Sequence, residues 1–304
     1  MRLSGLHLLL TYQCTLECDH CFVWGSPWQT GTMTLHDIRH IMEQASDLGT
    51  ITSIYFEGGE PFLYYGTLLK AVEMASHLGF QVGIVSNSYW ATSVEDAVEW
   101  LRPFAGLVQD LSISSDVYHW SEEVSRQSQN AQAAAQQLGI PIGVMSVAQP
   151  EATNAASAVG QLPIGESAVM YRGRAAEKLV SQAIRHSWTQ FTACLDEDLR
   201  DPGRVHVDPL GNVHICQGIA IGNLFRTPLK EICETYDPDA HPIVGPLLRG
   251  GPVELVRQYG LSHAETYVDE CHLCDEARRM LRARFPEILM PDQMYGVPGG
   301  ISGV

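Results

Sequence analysis

Cys14, Cys18 and Cys21 stand in the run Cys14-Thr15-Leu16-Glu17-Cys18-Asp19-His20-Cys21, directly behind the apolar stretch Leu8-Leu9-Leu10. Three thiolates in one short loop are soft ligands suited to a metal centre, and three is one fewer than a closed site takes. A centre short of one protein ligand keeps a coordination position where a small molecule binds and is changed. Gly58-Gly59-Glu60-Pro61 offers something different: two glycines let the backbone approach a ligand, and the carboxylate beside them accepts from an ammonium group. Cys194, Cys216, Cys271 and Cys274 come from separated segments and can close around zinc or an iron–sulfur cluster. Asp116, Tyr118 and His119 supply a carboxylate, a phenol and an imidazole, groups that remove a proton or deliver a hydrogen atom.

The elements that must position these groups alternate strand with helix over the first part of the chain. Strands are expected at Leu6–Thr11, Ser53–Phe56, Val82–Ser86, Leu111–Ser114, Ile140–Val147 and Ala168–Tyr171. Thr34 is a natural N-cap for a helix whose one face is Leu35, Ile38, Ile41, Met42, Ala45 and Leu48, and Gly49 ends it. Further helices are expected over Leu68–Leu78, from Ser93 to Pro103, and over Ser121–Leu138, the last as the longest. Such alternation implies parallel pairing, an α/β sheet or partial barrel whose site gathers at the C-terminal strand ends. The cysteine loop and the Gly-Gly-Glu-Pro turn each follow a strand and so fall at that end. After about residue 180 a smaller α+β unit is expected: a hairpin of Arg204–Val207 and Val213–Cys216 with its turn at Asp208–Asn212, a helix at Leu229–Tyr236, a polar loop region, and a charged helix after Cys274. The Gly- and Pro-rich stretch 291–304 reads as a loose, flexible tail.

Composition narrows the class. With 304 residues and 45% hydrophobic content the chain can bury a large core, one larger and one smaller domain. A net charge of −16 disfavours nucleic acid as the main partner, and no apolar run is long enough to span a bilayer. No small-residue cleavage site precedes the cysteines, so the expected location is cytoplasmic. In that setting eight clustered cysteines point to metal or catalysis rather than disulfides.

The C-x3-C-x2-C spacing, with the aromatic Phe22 immediately after it, resembles the radical S-adenosylmethionine (SAM) enzymes. The resemblance implies that Cys14, Cys18 and Cys21 hold a [4Fe–4S] cluster whose fourth iron binds SAM. Reductive cleavage of SAM then gives a 5′-deoxyadenosyl radical that takes hydrogen from a substrate carbon. A zinc loop completed by His20 is the competing reading, although zinc loops more often use C-x2-C pairs. By the same resemblance Gly58, Gly59, Glu60 and Pro61 serve the SAM amino group. Ser86 and Asn87, with Ser115 and Asp116, meet its ribose and methionyl parts, and Arg172 or Arg174 pairs with its carboxylate. Trp24 and Trp28 are placed to wall the pocket or to pack in the core.

The lone Cys194, the hairpin Cys216, Gly222-Asn223-Leu224 and the C-x2-C of Cys271 and Cys274 resemble the SPASM/Twitch extension of these enzymes, closest to Twitch with one auxiliary [4Fe–4S] cluster. His272 ranks below the four thiols as a ligand, and Cys233 is left as a buried apolar residue. The implied architecture is a partial (βα)6 TIM-type barrel over 1–180, a Twitch/SPASM-like α+β domain over 181–290 and the tail. A fully ligated auxiliary cluster suits electron transfer, which implies a net two-electron, dehydrogenase-like oxidation with an electron donor such as flavodoxin or ferredoxin. The alternative is a maturase of ribosomally made peptides, disfavoured by a first strand that begins almost at Met1 and leaves no room for a preceding recognition domain. A two-cluster electron carrier or a zinc-stabilised binding protein is the non-enzymatic reading. Substrate identity is not legible.

Overall fold

The computed structural model describes residues 1–120, 125–152, 162 and 164–298. Strands β1 (Leu3–Thr11), β2 (Ser53–Gly58), β3 (Gln81–Ser86), β4 (Asp110–Ser114) and β5 (Ile142–Met145) pair in parallel in that order. Helices α1 (Leu35–Leu48), α2 (Tyr65–His77), α3 (Val94–Leu101) and α4 (Arg126–Leu138) make the crossovers. The fold is therefore α/β with a parallel-sheet core. Local chemistry sets the helix ends: the Thr34 hydroxyl accepts from the Asp37 N–H while the Asp37 carboxylate accepts from the Thr34 N–H, and Gly49 closes α1 at φ 73°.

Strand alternation sorts side chains between two faces. Leu6, Leu8 and Leu10 of β1 join Ile54, Phe56, Ile84 and Ile113 in one layer with Ile38, Ile41, Leu68 and Val72 of the helices. On the other face His7 stacks on Tyr55 at 4.8 Å, and Leu9 enters a second core with Ile215, Val253 and Leu273. A central strand buried on both faces reads as a continuous apolar run, which is what Leu8-Leu9-Leu10 is. The C-terminal ends of β1 to β4 lie along one edge, from which the cysteine loop, the glycine turn and the Ser86 and Ser114 loops emerge.

Several expectations change. The strand expected at Ala168–Tyr171 does not form; a parallel bridge joins Val147 to Ser167, and beyond it the Tyr171 N–H is drawn away to Asp269. The expected hairpin forms, but it extends the same sheet: β7 (Gly203–Val207) pairs in parallel with β1, and β8 (Asn212–Cys216) and β9 (Ile219–Asn223) complete eight strands. The stretch from Pro291 is packed as far as Tyr295, whose buried hydroxyl donates to the Gly218 carbonyl at 2.7 Å; residues 299–304 of the expected tail lie outside the described ones. Ser121–Leu138 is helical from Arg126, with 121–124 outside the described residues, and it is not the longest helix.

After the one-turn α5 (Ala175–Lys178), the two-residue strands β6 (His186–Ser187) and β10 (Thr266–Tyr267) form a small ribbon. Helix α6 (Leu229–Thr235) matches expectation, whereas α7 (Val244–Tyr259) occupies the region read as loop. Gly250, Gly251 and Pro252 kink α7 at its centre, which hides its periodicity. Helix α8 (Glu270–Leu281) begins before Cys271 rather than after Cys274, capped by Asp269, whose carboxylate accepts from the His272 N–H at 2.7 Å. One turn of helix therefore carries both thiols.

Candidate active site

The cysteine loop is tied at both ends. The Cys14 N–H donates to the Ser26 carbonyl at 3.0 Å, and the Cys21 N–H to the Cys18 carbonyl at 3.1 Å. Donors already converge on the sulfurs: Leu16 N–H and Asn87 Nδ2 each reach Cys14 Sγ at 3.5 Å, and Gly25 N–H reaches Cys21 Sγ at 3.2 Å. Burial and the nearby Glu60 push the Cys14 thiol up to about 12, and burial with the Cys21 and Cys14 sulfurs holds Cys18 well above its ordinary value. These thiols stay protonated alone, so a metal centre must displace the protons.

The glycine turn locks the end of β2 onto this loop. The Gly59 N–H donates to the Thr11 carbonyl at 2.7 Å and the Glu60 N–H to the Gln13 carbonyl at 2.9 Å. A Cβ on Gly58, at φ 125°, would lie 2.5 Å from the Thr11 oxygen, and one on Gly59 would run into the Gln13 carbonyl. Glu60 is fully buried and turned away from the space beside the thiols. Its carboxylate accepts from Phe62 N–H, Ser86 Oγ and Asn87 N–H at 3.0, 3.0 and 2.7 Å, and burial pushes it up to about 7 despite those bonds. It braces β2 against β3 instead of presenting itself to an ammonium group, and Pro61 starts the following turn.

A cavity of about 580 Å³ opens beside the thiols, lined by Cys14, Cys18, Cys21, Phe22, Gly58, Gly59, Ser86, Asn87, Asp116, His119 and Arg172 among the expected residues. Glu60, Pro61, Ser115, Tyr118 and Arg174 are not on its wall. The Arg174 guanidinium is committed to the loop, donating to the Cys18 and Gly25 carbonyls at 2.7 and 2.8 Å. Tyr118 Oη turns to the Ala148 carbonyl at 3.4 Å, and Ser115 donates its N–H to Met145. Trp28 is exposed, and the Trp24 ring lies under Arg174 and Arg279 rather than on the cavity.

Asp116 is the hub of the far wall. Its Oδ1 lies 2.7 Å from His119 Nδ1 and accepts from the Tyr118 and His119 N–H groups, and its Oδ2 is 3.6 Å from His20 Nε2. Burial would raise its carboxyl, but the hydrogen bond with His119 and the nearby His20 imidazole outweigh it and hold the group well below the usual carboxylate range. A carboxylate held that low is a weak base; its part is to accept from and orient the His119 imidazole. Sequence gives His20 only as a competing zinc ligand; its place inside C-x2-C hides its approach to Asp116 at the end of β4. Glu57 was missed altogether. It lines the cavity between His206 at 2.9 Å and His7 at 3.2 Å, and burial is again outweighed by these imidazoles, so it stays ionised. Its signal was a charge beside Gly58 on a strand whose other face is apolar.

The four later cysteines converge on one small, separate cavity with Arg172 and Arg278. Gly251 makes this approach possible: at φ 63°, any Cβ there would strike the Thr192–Ala193 backbone just ahead of Cys194. Burial pushes Cys194 up to about 12 and Cys274 up to about 11, with neighbouring sulfurs adding to both. His272 accepts from the Val268 N–H and is not on this wall, and Cys233 packs in the larger core.

Residues 8–137 match the family model of the radical SAM superfamily. They form a radical SAM superfamily domain. The chain is 34% identical over 111 residues to "Putative peptide biosynthesis protein YydG" of Bacillus subtilis (strain 168), which is 36% of this chain and 35% of that protein. It is 23% identical over 116 residues to "S-adenosylmethionine-dependent nucleotide dehydratase" of Fibrobacter sp. (strain UWH6), 36% of this chain and 32% of the other. Each match thus spans about a third of the relative's own length. Among solved structures, that of BtrN in complex with AdoMet and 2-DOIA superposes with a TM-score of 0.48 and 18% identity over 76% of this chain and 82% of that one. The radical SAM family that residues 8–137 match implies a [4Fe–4S] cluster and SAM. The residues fit: of three buried or half-buried sulfurs, those of Cys14 and Cys21 already receive N–H donors, and glycine backbone without side chains borders the cavity.

Proposed function

We propose that the chain is a radical SAM oxidoreductase carrying a second, auxiliary [4Fe–4S] cluster, built as a partial barrel over 1–180 and a Twitch/SPASM-like unit over 181–290. The observation that carries this reading is the division of the cysteines: three border a large open cavity, and four line a small separate one. When bound, the first cluster and SAM supply a carbon radical that takes a hydrogen atom, and the second supplies an acceptor for one electron. The chain's own residues do the rest. Glycine backbone from Gly58 and Gly59 and the side chains of Ser86 and Asn87 border the space for SAM, and His119, oriented by the ionised Asp116, takes the proton that a substrate must lose in a two-electron oxidation. A flavodoxin or ferredoxin would deliver the electron that starts each cycle.

The likeness to a protein named for peptide biosynthesis favours a peptide substrate over a small molecule. Anaerobic reconstitution with SAM and a reductant should load about eight iron atoms per chain and release 5′-deoxyadenosine. Cys14→Ala should abolish that release and leave about four iron atoms. Iron-loaded wild-type protein that never releases 5′-deoxyadenosine would rule the reading out, and zinc in place of the second four iron atoms would remove its auxiliary cluster.

A further inference from the structure

Arg172 belongs to both cavities at once. It is 5% exposed, lies 5.8 Å over the Phe22 ring on the side of the larger cavity, and sends Nη1 to Cys216 Sγ at 3.5 Å and to Glu197 Oε1 at 3.3 Å. Its Nε is buried without a hydrogen-bond partner. The expectation from sequence gave this arginine, or Arg174, to the carboxylate of SAM; the geometry commits its Nη1 to the sulfur of a proposed auxiliary ligand. Arg278 flanks the same small cavity differently, donating to the Cys274 and Gln217 carbonyls. Arg172 thus donates directly to one of the four sulfurs.

We infer that Arg172 is a positioning residue that sets the reduction potential of the auxiliary cluster through its bond to Cys216; this rests on the two-cluster reading above. A guanidinium cannot give up its proton, so the charge is permanent, and its planar fork fixes the donor direction. Hydrogen bonds and positive charge at a ligand sulfur favour the more negative, reduced state of a cluster and so raise its potential. The Glu197 carboxylate anchors the guanidinium and tempers that charge. Located on the wall of the cavity where substrate is oxidised, the residue would keep the acceptor able to take an electron from that side.

The measurement is an EPR-monitored redox titration of the full-length chain carrying Cys14→Ala, Cys18→Ala and Cys21→Ala, in which only the auxiliary cluster remains. Adding Arg172→Met should shift the one-electron equilibrium about tenfold toward the oxidised cluster, about 59 mV more negative. Arg172→Lys, which keeps charge without the fork, should move it less in the same direction. A residue with a merely structural role would lower iron occupancy without moving the potential of the clusters that form. An unmoved potential at full iron loading in Arg172→Met overturns the inference, and if that variant loads no iron, an unmoved potential in Arg172→Lys and Arg172→Gln does so. Absence of iron from the triple-alanine parent overturns the two-cluster reading itself, a separate and distinguishable failure.

Discussion

At the residue scale, the functional loop depends on atoms that are absent as much as on those present. Gly173 sits at φ 62°, and a Cβ there would lie 2.7 Å from the Cys21 carbonyl oxygen and from the Phe22 Cα. Its neighbour Arg174 then bonds the Cys18 and Gly25 carbonyls, so Gly173 and Arg174 together clamp the cysteine loop from a segment about 150 residues further along the chain. Gly173→Ala must push that loop outward and also adopt left-handed backbone, a strain of about 1–3 kcal/mol before any clash. Iron content should fall from about eight to about four per chain, and 5′-deoxyadenosine release should drop by more than tenfold. Full iron and full release in that variant would show that the clamp is dispensable. The spacing of Cys14, Cys18 and Cys21 made the proposed centre legible from sequence, because the number and type of candidate ligands are local facts. The clamp was not legible: the Arg-Gly-Arg run drew attention to its charges, and the contact that matters spans 150 residues or so of chain.

At the element scale, helices with chemical punctuation were readable and interrupted ones were not. Thr34 and Gly49 fix α1, Ser93 fixes the start of α3, and Gly139 ends α4. Helix α7 escaped because Gly250-Gly251-Pro252 breaks its period and because its start is held by His241, which lacks the look of a cap. The neutral Nδ1 of His241 accepts from the Ile243 and Val244 N–H groups at 3.2 and 3.1 Å. Protonating that nitrogen would set an N–H against two donors at a helix N-terminus, where positive charge is already unwelcome. Burial holds His241 down to about 4. The unfolded chain, with an ordinary imidazole near 6.5, binds the proton first as pH falls, so stability is full above about pH 6.5 and declines toward pH 4. The midpoint of thermal unfolding should drop over that window, and His241→Asn, which can still cap, should flatten the decline. An equally steep decline in the variant would assign the acid sensitivity elsewhere, with buried His206, also lowered by burial, the next group to replace.

At the scale of the whole molecule, the question is whether the two cysteine cavities belong to one cooperative body. Parallel pairing between β1 and β7 joins residues some two hundred positions apart, and nothing local announces it: the hairpin was readable from its Pro-Gly-Asn turn, its attachment to β1 was not. Leu9 makes that attachment energetic. It lies on β1, two residues from His7, yet its fully buried side chain belongs to the core shared by Ile215 of β8, Val253 of α7 and Leu273 of α8. Truncating a side chain in such a place costs about 2–5 kcal/mol. If the larger and smaller parts were independent units meeting at a wet interface, Leu9→Ala would loosen only the contact between them. The shared sheet argues instead for a common loss: the slowest amide hydrogens of β2 and of β8 should both exchange faster, by the same free energy, because each is exposed in the same global opening. Acceleration confined to β8 would show that the C-terminal part opens alone. It would also mean that the cavity holding Cys194, Cys216, Cys271 and Cys274 is anchored by its own core and not by the strand that leads into Cys14.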